Sequence, residues 1–106
     1  MKFGLTETDF QKMLDVFAQH PVIKKVVLFG SRAKGTYRPG SDIDLAISFE
    51  YPIFFPQWLD LQIEIDELDL PQKIDMLDMG KIDNAELLAH IDRVGKVVFQ
   101  KDLTGV

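Results

Sequence analysis

Residues 26–47, Val-Val-Leu-Phe-Gly-Ser-Arg-Ala-Lys-Gly-Thr-Tyr-Arg-Pro-Gly-Ser-Asp-Ile-Asp-Leu-Ala-Ile, constrain the fold of this 106-residue chain more than any other stretch. An apolar run from Val26 to Phe29 stops at Gly30-Ser31, a short basic segment follows, and Asp42-Ile43-Asp44 opens a second apolar run. In that second run Ile43, Leu45, Ile47 and Phe49 alternate with Asp42, Asp44, Ala46 and Ser48. This is the period of a strand, so both carboxylates face the same way. Side-by-side carboxylates repel and gain nothing from burial unless a cation lies between them. Hard cations such as Mg²⁺ or Mn²⁺ take oxygen ligands, and Mg²⁺ is usually shared between one or two carboxylates and substrate phosphates. Taken alone, an Asp-x-Asp also fits a solvated strand edge.

The turn before it shifts the balance toward a nucleotide. Gly30 directly follows a strand and can bring the backbone close to a ligand. Ser31 is expected to cap a short helix through Arg32, Ala33 and Lys34, whose free amides and dipole favour an anion. Arg32 and Lys34 add positive charge, as does Arg38 further on. A polyphosphate fits between this turn and a metal held by Asp42 and Asp44. Two other motifs fail here. Thr36 stands where a Walker A loop needs its lysine, and the second glycine of a Gly-x-Ser-x-Gly nucleophile elbow is missing around Ser31.

Gly30-Ser31-Arg32-Ala33-Lys34-Gly35 followed by Ser41-Asp42-Ile43-Asp44-Leu45 resembles the signature of the DNA polymerase β-like nucleotidyltransferase superfamily. Within it the chain is most similar to the minimal nucleotidyltransferases, the antitoxin half of pairs with a small all-helical HEPN protein. The resemblance runs from the first helix almost to the C-terminus. It implies an α+β, two-layer fold: a small mixed β-sheet with helices packed mainly on one face, and residues 1–106 as a single nucleotidyltransferase domain. It also implies a third carboxylate, for which Asp75 in Lys-Ile-Asp-Met-Leu-Asp is better placed than Asp78. Asp42, Asp44 and Asp75 would then be the catalytic and metal-binding set, and Gly30, Ser31, Arg32 and Lys34 the phosphate-binding set.

The rest of the chain accommodates this plan. Thr6 with Asp9 forms a capping signal, and Phe10, Met13, Leu14 and Phe17 give residues 6–19 a helical apolar stripe that His20-Pro21 ends. Strands are expected at Val22–Phe29, Asp42–Phe49 (antiparallel or mixed with the first) and Gln72–Met79, and a helix at 84–93 with Leu87, Leu88 and Ile91 inward. Gly95 closes that helix, and Val97 to Phe99 follow as a strand or extended tail. Residues 57–70 satisfy both periods. Their composition, the preceding Pro56 and the family resemblance favour a helix, which leaves some apolar side chains as a second contact stripe. The cluster from Tyr51 to Trp58 either packs over the sheet or stays exposed as a contact surface. His20 and His90 read as structural, and residues 101–106 as a frayed end.

Charge and composition narrow the partners. With no cysteine, disulfides and thiolate metal sites are excluded. No apolar stretch approaches the ~20 residues of a membrane span, and nothing at the start resembles a signal peptide, so a soluble cytoplasmic protein is expected. A net charge of −5 disfavours a broad nucleic-acid surface.

The family mechanism is transfer of a nucleoside monophosphate, with ATP as the expected co-substrate and Mg²⁺ (or Mn²⁺) as cofactor. The acceptor is a hydroxyl, which the resemblance places on a tyrosine of the HEPN partner. An antibiotic or other small hydroxyl compound presented by a partner chain remains an alternative. So do a catalytically silent protein that neutralises its helical partner by contact alone and a sensor that binds ATP without transfer. An apolar face meant for a partner could also pair with itself, giving a homodimer in isolation.

Overall fold

A computed structural model describes residues 2–101. Its elements run α1 (Glu7–Ala18), β1 (Ile23–Phe29), α2 (Gly30–Lys34), β2 (Ile43–Phe49), α3 (Phe55–Asp66), β3 (Ile74–Asp78), a 3₁₀ turn (Met79–Lys81), α4 (Ala85–Val94) and β4 (Lys96–Gln100). The strands form one sheet in the order β3-β2-β1-β4. β1 pairs antiparallel with β2 and with β4, while β2 and β3 are parallel, so the sheet is mixed as the resemblance implied. A parallel pair needs a crossover, and α3 supplies it.

The period-2 alternation decides which face is which. Val26 and Leu28 of β1, Ile43, Leu45 and Ile47 of β2 and Met76 of β3 join Met13, Val16 and Phe17 of α1 and Leu61 and Ile65 of α3 in the main core. The opposite face carries a smaller cluster, Val27, Phe29, Ala46 and Ile91, over which α4 crosses. α1 and α3 thus cover one face, and α4 covers part of the other.

Local signals explain where the helices begin. Thr6 Oγ1 accepts from the Asp9 N–H at 3.1 Å, as its position before Asp9 indicated. Asn84 Oδ1 accepts from the N–H groups of Glu86 and Leu87, satisfying two donors that a helix start leaves unpaired. α3 starts two residues earlier than expected, because the Gln57 side chain accepts from the Phe54 N–H and Pro56 stands in its first turn. The Tyr51–Trp58 cluster divides. Ile53 is buried and Trp58 packs edge-on against Phe49, whereas Tyr51, Phe54 and Phe55 face outward. Leu88, expected inward on α4, is exposed; Leu87 and Ile91 carry that contact. Lys101, expected to fray, is tied to Lys24 by its N–H and to Pro21 by its ammonium. Residues 102–106 lie outside the described residues.

Among the described residues Arg32 is the one charged side chain fully inside, with 2% of its surface exposed. Its Nη1 donates to Phe3 O at 2.8 Å, Nη2 to Ser41 O at 2.9 Å and to Pro39 O at 3.2 Å, and Nε to Ser41 O at 3.2 Å. The Tyr37 ring stacks 5.1 Å from its guanidinium carbon. Its charge is balanced by carbonyl dipoles, since no carboxylate among the described residues lies within ion-pair distance. The expectation that Arg32 faces a phosphate is therefore corrected: the side chain points into the protein and fastens the N-terminal hook and the 35–41 loop to α2.

Truncating Arg32 would remove the donor from the carbonyls of Phe3, Pro39 and Ser41 in part-buried hydrogen bonds. Arg32→Ala should lower unfolding stability in urea by roughly 3 kcal/mol. Arg32→Lys should recover less than half of that, because an ammonium cannot reproduce the fork.

Candidate active site

Topology brings the sequence-marked residues to one end of the sheet. Since β1 and β2 are antiparallel, the C-terminal end of β1, where Gly30 begins, lies beside the N-terminal end of β2; Phe29 pairs with Asp44. Because β3 runs parallel to β2, its N-terminal end is there too, and Asp75 pairs with Asp44. Paired residues on neighbouring strands share a face. Asp44 and Asp75 therefore both lie on the face opposite the main core. Asp42 stands one residue before β2 and is exposed, while Asp44 is half-buried.

Gly30 adopts φ +73°, open to glycine but strained for other residues. A Cβ built at this position would overlap the Asp44 carboxylate. Two independent demands thus fall on one residue: the left-handed turn from strand into helix, and the close approach of a carboxylate to the backbone. α2 then runs from Gly30 to Lys34 and is closed by Gly35 at φ +83°. Phe29, not Ser31, occupies the cap position, and no side chain caps the helix. The expectation of a Ser31 cap is corrected for this reason: the cap lies two residues earlier, at Phe29, and the helix starts directly off the strand. Ser31 is half-buried, and Lys34 and Arg38 are exposed.

The electrostatics follow from this crowding. Asp44 is pushed above the ordinary carboxylate value, first by burial, then by the negative charges of Asp75 and Asp42, with His90 opposing. His90, taken from the sequence as structural, stands edge-on to Phe29 at 6.1 Å between ring centres. It reaches this face only because α4 crosses there, and nothing near it in the sequence signals that. Asp75 also has a surface contact, 3.5 Å to Lys73 Nζ, of the exposed kind that contributes little.

Among the described residues no three His, Cys, Asp or Glu side chains converge tightly enough to hold an ion unaided. The donor set is nevertheless that of a hard divalent cation: hard oxygen donors, mutually repelling, at the mouth of a backbone turn. Such an ion would be shared with substrate oxygens. Asp42, Asp44 and Asp75 could supply the protein's ligands, and the Gly30-Ser31 turn with Lys34 could meet phosphate.

Two consequences are measurable. Above its raised pKa Asp44 is charged at a net cost to the fold; its stabilising contribution is complete below the unfolded value of 3.8 and is lost as pH rises through the folded pKa. In metal-free buffer at neutral pH, Asp44→Asn should therefore melt a few degrees higher than the parent, and the gap should close as pH falls toward 3.8. Gly30→Ala should cost about 1–3 kcal/mol in urea unfolding, from backbone strain plus displacement of Asp44.

The polymerase beta, nucleotidyltransferase family model matches residues 11–104. A curated relative, the "Probable protein adenylyltransferase MntA" of Haemophilus influenzae, is 37% identical over 102 residues, covering 86% of this chain and 89% of that protein. A solved structure described as a toxin-antitoxin with AMP-PNP aligns with TM-score 0.66 at 25% identity, over 94% of this chain and 77% of that one. The MNT antitoxin of Shewanella oneidensis, solved in complex with its tri-AMPylated HEPN toxin, aligns with TM-score 0.66 over 92% of this chain and 74% of that one. At 19% identity that likeness bears on the fold alone. A strand, a Gly-Ser turn and an Asp-x-Asp strand at one sheet end, within a family match spanning most of the chain, show that this chain belongs to the polymerase beta nucleotidyltransferase family.

Proposed function

We propose that residues 1–106 act as one nucleotidyltransferase domain that moves AMP from ATP to a hydroxyl on a partner protein, a tyrosine of a helical HEPN-type toxin, and so works as an antitoxin in the cytoplasm. The observation that carries this is the convergence at Gly30: a strand-to-helix backbone turn against which lies a carboxylate, Asp44, register-paired with a second, Asp75. Two similarities support the finer assignment. The 37% identical relative is named a protein adenylyltransferase, and the 25% identical structure is of a toxin-antitoxin assembly holding AMP-PNP, an ATP analogue.

In the mechanism, the amides of the Gly30-Ser31 turn and the Lys34 ammonium hold the β- and γ-phosphates, which orients the α-phosphorus toward Asp44 and Asp75. Asp42, Asp44 and Asp75 would hold a divalent cation, which when bound would supply charge neutralisation and a more acidic acceptor hydroxyl. The acceptor oxygen attacks the α-phosphorus, and a new P–O bond forms as the bond to the β-phosphate oxygen breaks and pyrophosphate departs. The hydroxyl proton passes to Asp75, on the strand nearest the open edge of the sheet. Positioning and electrostatics supply most of the rate, as expected where the protein forms no covalent intermediate.

Calorimetric titration of ATP should show binding that requires Mg²⁺ and weakens at least tenfold in Asp42→Asn. With the helical toxin added, intact mass should show AMP addition to it, abolished by the Asp42→Asn, Asp44→Asn pair while the two chains still associate. Toxin inhibition that survives this double change without labelling would mean that neutralisation works by contact alone.

A further inference from the structure

α3 has two apolar faces, and the fold uses one. Leu61 and Ile65 enter the main core, with Trp58 packed against it. Phe55, Leu59 and Ile63, spaced four apart and so aligned along a second face, are 68%, 41% and 46% exposed. Just before the helix, Tyr51 and Phe54 extend this surface at 60% and 78% exposure. Beside it a cavity of about 390 Å³ opens between Phe55, Trp58, Met76, Leu77 and Ile82, on the open side of β3. Five large apolar side chains in one continuous region, next to a cavity sized for an anchoring side chain, are a contact surface and not scattered exposure.

The charge around it selects the occupant. Residues 50–69, the aromatic corner and α3 with its end, contain six of the 17 Asp and Glu and none of the 12 Lys and Arg, and the cavity adds one charge of each sign, Asp78 and Lys81. A second copy would bring the same acidic surround face to face, since a two-fold interface pairs each patch with itself. We propose that the outer face of α3, with its aromatic corner and the neighbouring cavity, docks a helix of a partner protein whose apolar stripe is flanked by Lys and Arg. This rests on the two-chain assembly proposed above and adds where the partner sits and what chemistry it presents. The outer face of α3 lies on the side of the sheet away from Asp44, while the cavity turns around β3, the edge strand that also carries Asp75, to reach Leu77 on the Asp44 face, so a partner seated there occupies the edge nearest the candidate carboxylates.

Trp58, the single tryptophan, lines the cavity and reports on it. The probes are a synthetic amphipathic Leu/Lys helix and its Leu/Glu counterpart, titrated into the full chain while following Trp58 emission. The Leu/Lys helix should bind and shift the emission, the Leu/Glu helix should not, and Phe55→Asp with Ile63→Asp should weaken binding at least tenfold. Those substitutions add negative charge, so attraction by charge alone would strengthen; that result, or equal binding of both peptides, would overturn the proposal. A concentration-dependent dimer of the parent chain that the two substitutions abolish would also overturn it, in favour of a second copy. Melting temperature checks that the variants fold. Mg²⁺-ATP titration on the same proteins separates the two proposals: peptide binding without nucleotide binding would sink the transferase reading alone, and the converse this docking surface alone.

Discussion

A carboxylate on β2 and the backbone turn leaving β1 occupy nearly the same space, and only the missing side chain of Gly30 lets them. Much of the chemistry follows from that proximity. Antiparallel pairing puts the turn beside Asp44, parallel pairing of β3 puts Asp75 on the other side, and burial with like charge raises the Asp44 pKa. A site that is electrostatically uncomfortable without a ligand is one that a cation and a polyphosphate relieve. The fold tolerates the cost because the other face of the same strands is fully apolar and packed by two helices.

How much of this was legible in the sequence depended on whether the signal was local. The alternation in Asp42 to Phe49 assigned both faces of β2 correctly, because a period of two leaves no choice once one face is apolar. The helix start at Thr6 and the helix end at Gly95 were legible for the same reason: caps act within a few residues. The convergence of Asp75 with Asp44 was not readable from spacing, since it depends on strand order; the family resemblance supplied it.

Arg32 was misjudged because its motif neighbours suggested charge for a phosphate, while its actual partners are carbonyls at Phe3, Pro39 and Ser41, two of them beyond a loop and one near the start of the chain. A five-residue helix gives no sequence cue to which side chain turns inward. α3 hid its nature differently. A helix apolar on both sides satisfies strand and helix periods alike, and that ambiguity is itself the mark of an element with two sets of neighbours.

The arginine fork has a consequence for how this protein can be handled. Its guanidinium joins Phe3 to Ser41, the residue immediately before Asp42, so the hook at residues 2–5 and the first carboxylate hang on one side chain. Trimming a few leading residues, or fusing a bulky sequence that prises the hook at residues 2–5 away, would remove an acceptor and loosen the loop that aims Asp42. A tag that displaces residues 2–5 is thus a perturbation of the candidate active site at a distance.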